Sequence, residues 1–185
     1  YSLVAGIAAA ASLALVSLYG FRIEGDPYGA TWIYGLYAVG ALAACVVPRP
    51  LATAGQGTAL RIREAAGYIG AVLLALALIQ GIVYLPEEPS PWAAPWTTAA
   101  ALHAMLVCGL ATLATAFRER SSGEVANGNT VHTAAPNALV IAAMISSALA
   151  ALLVVFGLPT LAPLDSAIHI ALLAIVWLLA AMLWR

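Results

Sequence analysis

A chain of 185 residues that is 64% hydrophobic and only 8% charged cannot cover a globule with solvated side chains, since a soluble domain carries about 25% charged residues. Its net charge of −1 and lack of any basic run offer nucleic acid nothing to bind. With a mean hydropathy of +0.99, the composition points to an integral membrane protein whose first partner is lipid.

The chain starts at Tyr1 and stops at Arg185, one residue past an apolar run, and reads as trimmed at one or both ends. Residues 2–21 form the first apolar run, long enough for a true span rather than the short core of a signal peptide. "RIEGDPYG" (22–29) separates it from the run at 30–47, and "PRPLATAGQGTALRIRE" (48–64) leads to the run at 65–85. "PEEPSPW" (86–92) precedes 95–117, "RERSSGEVANGNTVHTAAPN" (118–137) precedes 137–160, and "LPTLAPLD" (158–165) precedes 166–184. A span needs about 20 apolar residues, and backbone groups in hydrocarbon must be paired inside the segment. A barrel would need strands of about 10 residues alternating in polarity, and "AVLLALALI" does not alternate. The pattern predicts an all-α integral membrane bundle of six transmembrane helices with short loops, forming a single domain over residues 1–185.

With six spans, both termini and the loops 48–64 and 118–137 share one side. That side holds Arg49, Arg61, Arg63, Arg118, Arg120 and Arg185, while the other holds only Arg22. Arginine bias marks the cytoplasmic side, so both termini are expected in the cytoplasm of a plasma-membrane protein. The outer side collects Glu24, Asp26, Glu87, Glu88 and Asp165, with Trp32, Trp92 and Trp96 placed as an interfacial belt. Glu87 and Glu88 read as a solvated turn that holds the hairpin outside, or as an acidic mouth together with Asp165. Small residues spaced four apart, such as Gly6–Ala10, suit close helix packing.

Two hairpins share an order of features. "IVYLPEEPSPWAAPWTTAAALHAML" and "LVVFGLPTLAPLDSAIHIALLAIVW" each run from an aliphatic exit through Leu-Pro and a second proline to a helix with an early histidine. Internal duplication is common in membrane folds, though proline at a helix boundary is ordinary. His103 lies eight residues beyond Pro95 and His169 six beyond Pro163, about 12 Å and 9 Å along their helices. Both rings are expected in the outer leaflet at similar height, approaching one another across the bundle. An ionisable side chain within a span is a functional hypothesis.

Three readings of this pair stand open. The imidazoles ligate one metal centre, most plausibly the iron of a haem b held between facing helices. Alternatively they line a quinone or proton site, with Glu87, Glu88 and Asp165 at its mouth. In the third reading each ring bonds a backbone carbonyl or a Ser/Thr hydroxyl and packs helices together. Zinc and copper want more ligands than this side supplies. His132, in the loop with Asn127 and Asn129, reads as solvated.

Other chemistry is excluded. The chain has no lysine to hold retinal or pyridoxal, no GxSxG and no phosphate loop. Cys45 and Cys108 lie in apolar runs without a CxxC, so no redox disulfide is expected. Gln80 near the end of the third span and Ser146–Ser147 in the fifth are the sparse mid-span polar residues, the serines expected to bond their own helix. The leading expectation is a small integral subunit of a redox or energy-conversion assembly of several membrane subunits. The alternatives are a transporter or channel component and an accessory subunit binding lipid or carotenoid.

Overall fold

In the computed structural model, residues 11–14, 28–46, 56–84, 94–124, 136–157 and 162–183 are described. They form helices and no strand, giving an all-α bundle. The helices are α1 (Gly29–Val46), α2 (Gln56–Ile79), α3 (Pro95–Glu124), α4 (Pro136–Gly157) and α5 (Pro163–Leu183), with a π turn at Gln80–Tyr84 ending α2. Five stretches within them are long and apolar enough to cross a membrane: Gly29–Val46, Arg61–Tyr84, Pro95–Ala116, Asn137–Phe156 and Pro163–Met182. The sixth expected span, at 2–21, lies outside the described residues except for a helical turn at 11–14.

Proline sets three of the starts. α3, α4 and α5 each open on a proline, whose fixed φ suits the first helical position and whose missing N–H is not needed there. The carbonyls of Ala94 and Ala162, just before two of these prolines, accept the first bonds from Thr98 and Ser166. Two boundaries differ from the expectation. α2 begins at Gln56 rather than 65, and α3 runs to Glu124 rather than 117. Charged residues ended the apolar runs in the sequence, but a helix leaving hydrocarbon keeps its own hydrogen bonds and has no reason to stop there.

Arg63 therefore lies on α2 and not in a loop. It is buried, and its Nη2 donates to the Cys45 carbonyl at 3.0 Å. That carbonyl stands in the last turn of α1, where backbone acceptors lack a partner within the helix. The guanidinium thus closes one helix end from the neighbouring helix.

α1 and α2 are antiparallel with constant register. Cys45 lies against Gly67, Leu42 against Gly70, and Thr31 against Gly81. A Cβ at Gly67 would come within 2.9 Å of Cys45 Sγ, and one at Gly70 within 2.8 Å of Leu42 Cγ and 3.0 Å of the Leu42 backbone nitrogen. These two glycines are the notches that let the helices close. Ala30, Tyr34 and Ala38 of α1 pack with Leu73 and Ala77 of α2, and Leu13 joins them.

α3 is the central helix. Ala104, Val107, Cys108 and Ala111 are fully covered and follow the i, i+3, i+4, i+7 spacing of one face. They join Leu42, Cys45 and Ala71 from α1 and α2, Leu139 and Ala143 from α4, and Val176 from α5 in the main core. Most of these side chains are small, so the core is built on close backbone approach. The large apolar residues point the other way: Leu36, Ile145, Phe156, Trp177, Leu178 and Met182 are exposed. A soluble protein buries such residues; a bundle in lipid has no need to.

Candidate functional site

The two histidines are both buried, at 6% exposure each, and both are fully hydrogen-bonded. On α3, His103 Nε2 stands 2.8 Å from the Ala71 carbonyl of α2, and Nδ1 stands 2.6 Å from Ser146 Oγ of α4. A carbonyl only accepts, so Nε2 carries the proton of the neutral ring. Its Nδ1 then accepts from the Ser146 hydroxyl. On α5, His169 Nδ1 stands 2.7 Å from the Asp165 carbonyl one turn earlier, and Nε2 stands 3.0 Å from Thr98 Oγ1 of α3. By the same logic Nδ1 donates, and Nε2 accepts from the threonine. The two neutral rings hold opposite tautomers, each fixed by a backbone carbonyl.

The pair does not converge on one centre. The ring of His169 is level with Thr98, five residues from His103 along α3. Five residues amount to about 7.5 Å of rise and about 140° of rotation. His103 turns toward α2 and α4, whereas His169 meets the flank of α3 that faces α5. The expectation of two imidazoles approaching at equal height is corrected by this geometry. The cause is a rotation that depth along a helix does not reveal.

The residues do not fit a haem b. A bis-histidine haem needs two ring nitrogens facing one iron from opposite sides, and here all four nitrogens hold protein partners on different flanks of α3. No group of three His, Cys, Asp or Glu is gathered for a metal among the described residues. Asp165 offers its carbonyl to His169, while Glu87, Glu88 and His132 lie outside the described residues.

One histidine does border a cavity. A space of about 110 Å³ is lined by Ala75 and Ile79 of α2, Trp96, Ala99, Ala100 and His103 of α3, and Ser146, Leu149 and Leu153 of α4. For scale, an apolar cavity of about 150 Å³ admits one benzene ring, and sites for drug-sized ligands run to roughly 300–1,000 Å³. The space beside His103 is somewhat smaller than that benzene-binding cavity and far from the scale of a porphyrin. Its walls are apolar save for the His103–Ser146 pair. Compared with protein-family models, curated proteins and solved structures, the chain matches none.

Ser146 is the member of this site that sequence reasoning assigned elsewhere. Its neighbour Ser147 does bond its own helix, donating to the Met144 carbonyl at 2.9 Å, as do Thr112 to Cys108 and Thr115 to Thr112. Ser146 instead crosses to α3. Two adjacent serines on one helix point about 100° apart, so one can serve its own backbone while the other serves a neighbour. Thr98 was likewise not singled out, because nothing in a sequence marks which hydroxyl a distant imidazole meets. Trp96, expected at the interface, packs edge-to-face on Tyr84 with ring centroids 6.2 Å apart. That contact joins the end of the π turn to the start of α3 at the cavity rim.

Proposed function

We propose that this chain is a small integral subunit of a larger membrane redox or energy-conversion assembly, and that the cavity beside His103 seats the head group of a quinone. The observation that carries this reading is a single polar pair lining a small apolar space beside the half-exposed Trp96 and Leu149. A quinone head is a flat ring whose two oxygens need hydrogen bonds, on a tail that stays in lipid. Ser146 donates to Nδ1 and can turn its hydroxyl to a quinone oxygen. Nδ1 then offers its lone pair to a quinol O–H. Leu149 and Trp96 on the cavity wall are about half exposed, so a tail has a path outward between α3 and α4.

The arrangement supplies binding and a proton acceptor; electron transfer belongs to a redox centre of a partner subunit. The arginine bias supports an orientation in a plasma membrane with both chain ends and six of the seven arginines on the cytoplasmic side. The cavity then lies in the outer leaflet.

The test is a titration of the purified chain in lipid nanodiscs with a short-tailed benzoquinone, following tryptophan emission. Seating beside Trp96 quenches a saturable fraction of the signal. That fraction is lost in Trp96→Phe, and its midpoint rises about tenfold in Ser146→Ala, the size expected for one hydrogen bond of about 1.4 kcal/mol. Quenching that never saturates, or that is the same in Trp96→Phe, overturns the proposal.

A further inference from the structure

We infer that the α1–α2 interface holds an ordered water molecule at its Gly29 end, bridging Thr31 and Gln80. Gln80 is 3% exposed, and its Oε1 has no hydrogen-bond partner. Thr31 Oγ1 is also covered and also without a partner. Both lie at the Gly29 end of the α1–α2 pair, Gln80 being the chain neighbour of Gly81. Gln80 opens the π turn directly after α2, three residues beyond Ala77, which with Leu73 packs on Ala30, Tyr34 and Ala38 of α1. Register brings Thr31 alongside: its side chain is the neighbour that a Cβ at Gly81 would meet at 3.4 Å.

Two covered oxygens without partners in one interface are not a tolerable end state. At this height, level with the interfacial Trp32, it is the packed helices that shut bulk solvent out, and each covered group left unpaired is costly. Buried water commonly resolves such a deficit by making about three hydrogen bonds to neighbouring polar groups. A water here donates one hydrogen to Gln80 Oε1, an acceptor that cannot donate, and exchanges a second bond with the Thr31 hydroxyl. The site falls where α2 passes from α to π geometry, since Gln80 is the first residue of the π turn. π turns are concentrated where a helix departs from regularity for a purpose.

The experiment uses isosteric apolar replacements in the full chain in nanodiscs: Gln80→Leu, Thr31→Val and the pair together. With a bridging water, each single variant strands the water and the opposite oxygen, lowering Tm by about 2–4 °C. The double variant removes all three partners and loses less than the sum of the singles. If the oxygens are bare, each replacement relieves a penalty, so single variants that leave Tm unchanged or raise it overturn the inference. Exchange cross-peaks between long-lived water and the Gln80 and Gly81 amides are expected by NMR in deuterated lipid, and their absence overturns it as well. A third arm replaces sodium with choline. An unchanged Tm supports water, while a loss of Tm that vanishes in Gln80→Leu identifies a bound cation instead.

Discussion

A neutral imidazole has one proton and one lone pair, and in a membrane interior both must be matched. His103 matches them with Ala71 and Ser146, and His169 with Asp165 and Thr98. The tautomers are therefore determined by which nitrogen faces a carbonyl: Nε2–H for His103 and Nδ1–H for His169. ¹⁵N NMR of the labelled protein should give opposite shift patterns for the two rings, and identical patterns would contradict the assigned partners. Ser146→Ala leaves the Ala71 bond in place, so the His103 tautomer persists while its Nδ1 loses its donor. We expect a loss of about 1–2 kcal/mol in stability, read by thermal denaturation, with the His103 pattern unchanged. At this scale the sequence announced the two histidines, because an ionisable residue in an apolar run stands out. It also held open the reading that each bonds a backbone carbonyl or a Ser/Thr hydroxyl. Partners were illegible, since a bond from residue 103 to 146 or from 98 to 169 depends on how helices are rotated against one another.

Among elements, the α1–α2 pair shows what glycine contributes. Gly67 and Gly70 receive Cys45 and Leu42, whereas Gly35, Gly40 and Gly109 have nothing within 4 Å of an added Cβ. Gly70→Ala forces a methyl against the Leu42 side chain and backbone nitrogen, and overpacking of this kind costs about 1–3 kcal/mol. By contrast Gly35→Ala and Gly40→Ala enter open space on a helix and should stabilise by up to about 1 kcal/mol. Denaturation midpoints of the three variants check the contrast; an equal effect at all three would dismiss the notch. Small residues were evident in the sequence, but Gly67 and Gly35 look alike there. Only the register along α1 and α2 distinguishes a notch from an open surface. The helices themselves were legible from unbroken apolar runs. Their ends were less so, because Arg63 reads as a loop cation until the Cys45 carbonyl it serves is seen.

The whole molecule is organised around α3, and its parts are unequally attached. α1 and α2 are locked by interdigitated notches, and α4 shares the main core and the His103–Ser146 bond. α5 contributes the buried Val176 to that core, with Leu179 and Ala180 partly buried against it, and leaves Ile170, Trp177, Leu178 and Met182 exposed. Its polar ties to α3 are the His169–Thr98 bond and a weak contact of Cys108 Sγ with the Val176 carbonyl at 3.7 Å. Elements with few buried contacts open first, below the free energy of global unfolding. α5 should therefore exchange its amide hydrogens as a separate unit, ahead of α1–α4, when the protein is held in mild detergent. Thr98→Val removes the hydroxyl that His169 Nε2 accepts from while keeping the shape of the side chain. It should lower the opening free energy of α5 by about 1–2 kcal/mol and leave protection across the α1–α2 notches unchanged. Hydrogen-exchange mass spectrometry, peptide by peptide, reads both quantities. Uniform loss of protection across all helices would mean that α5 is integral to one cooperative unit, and that the His169–Thr98 bond supports the bundle as a whole.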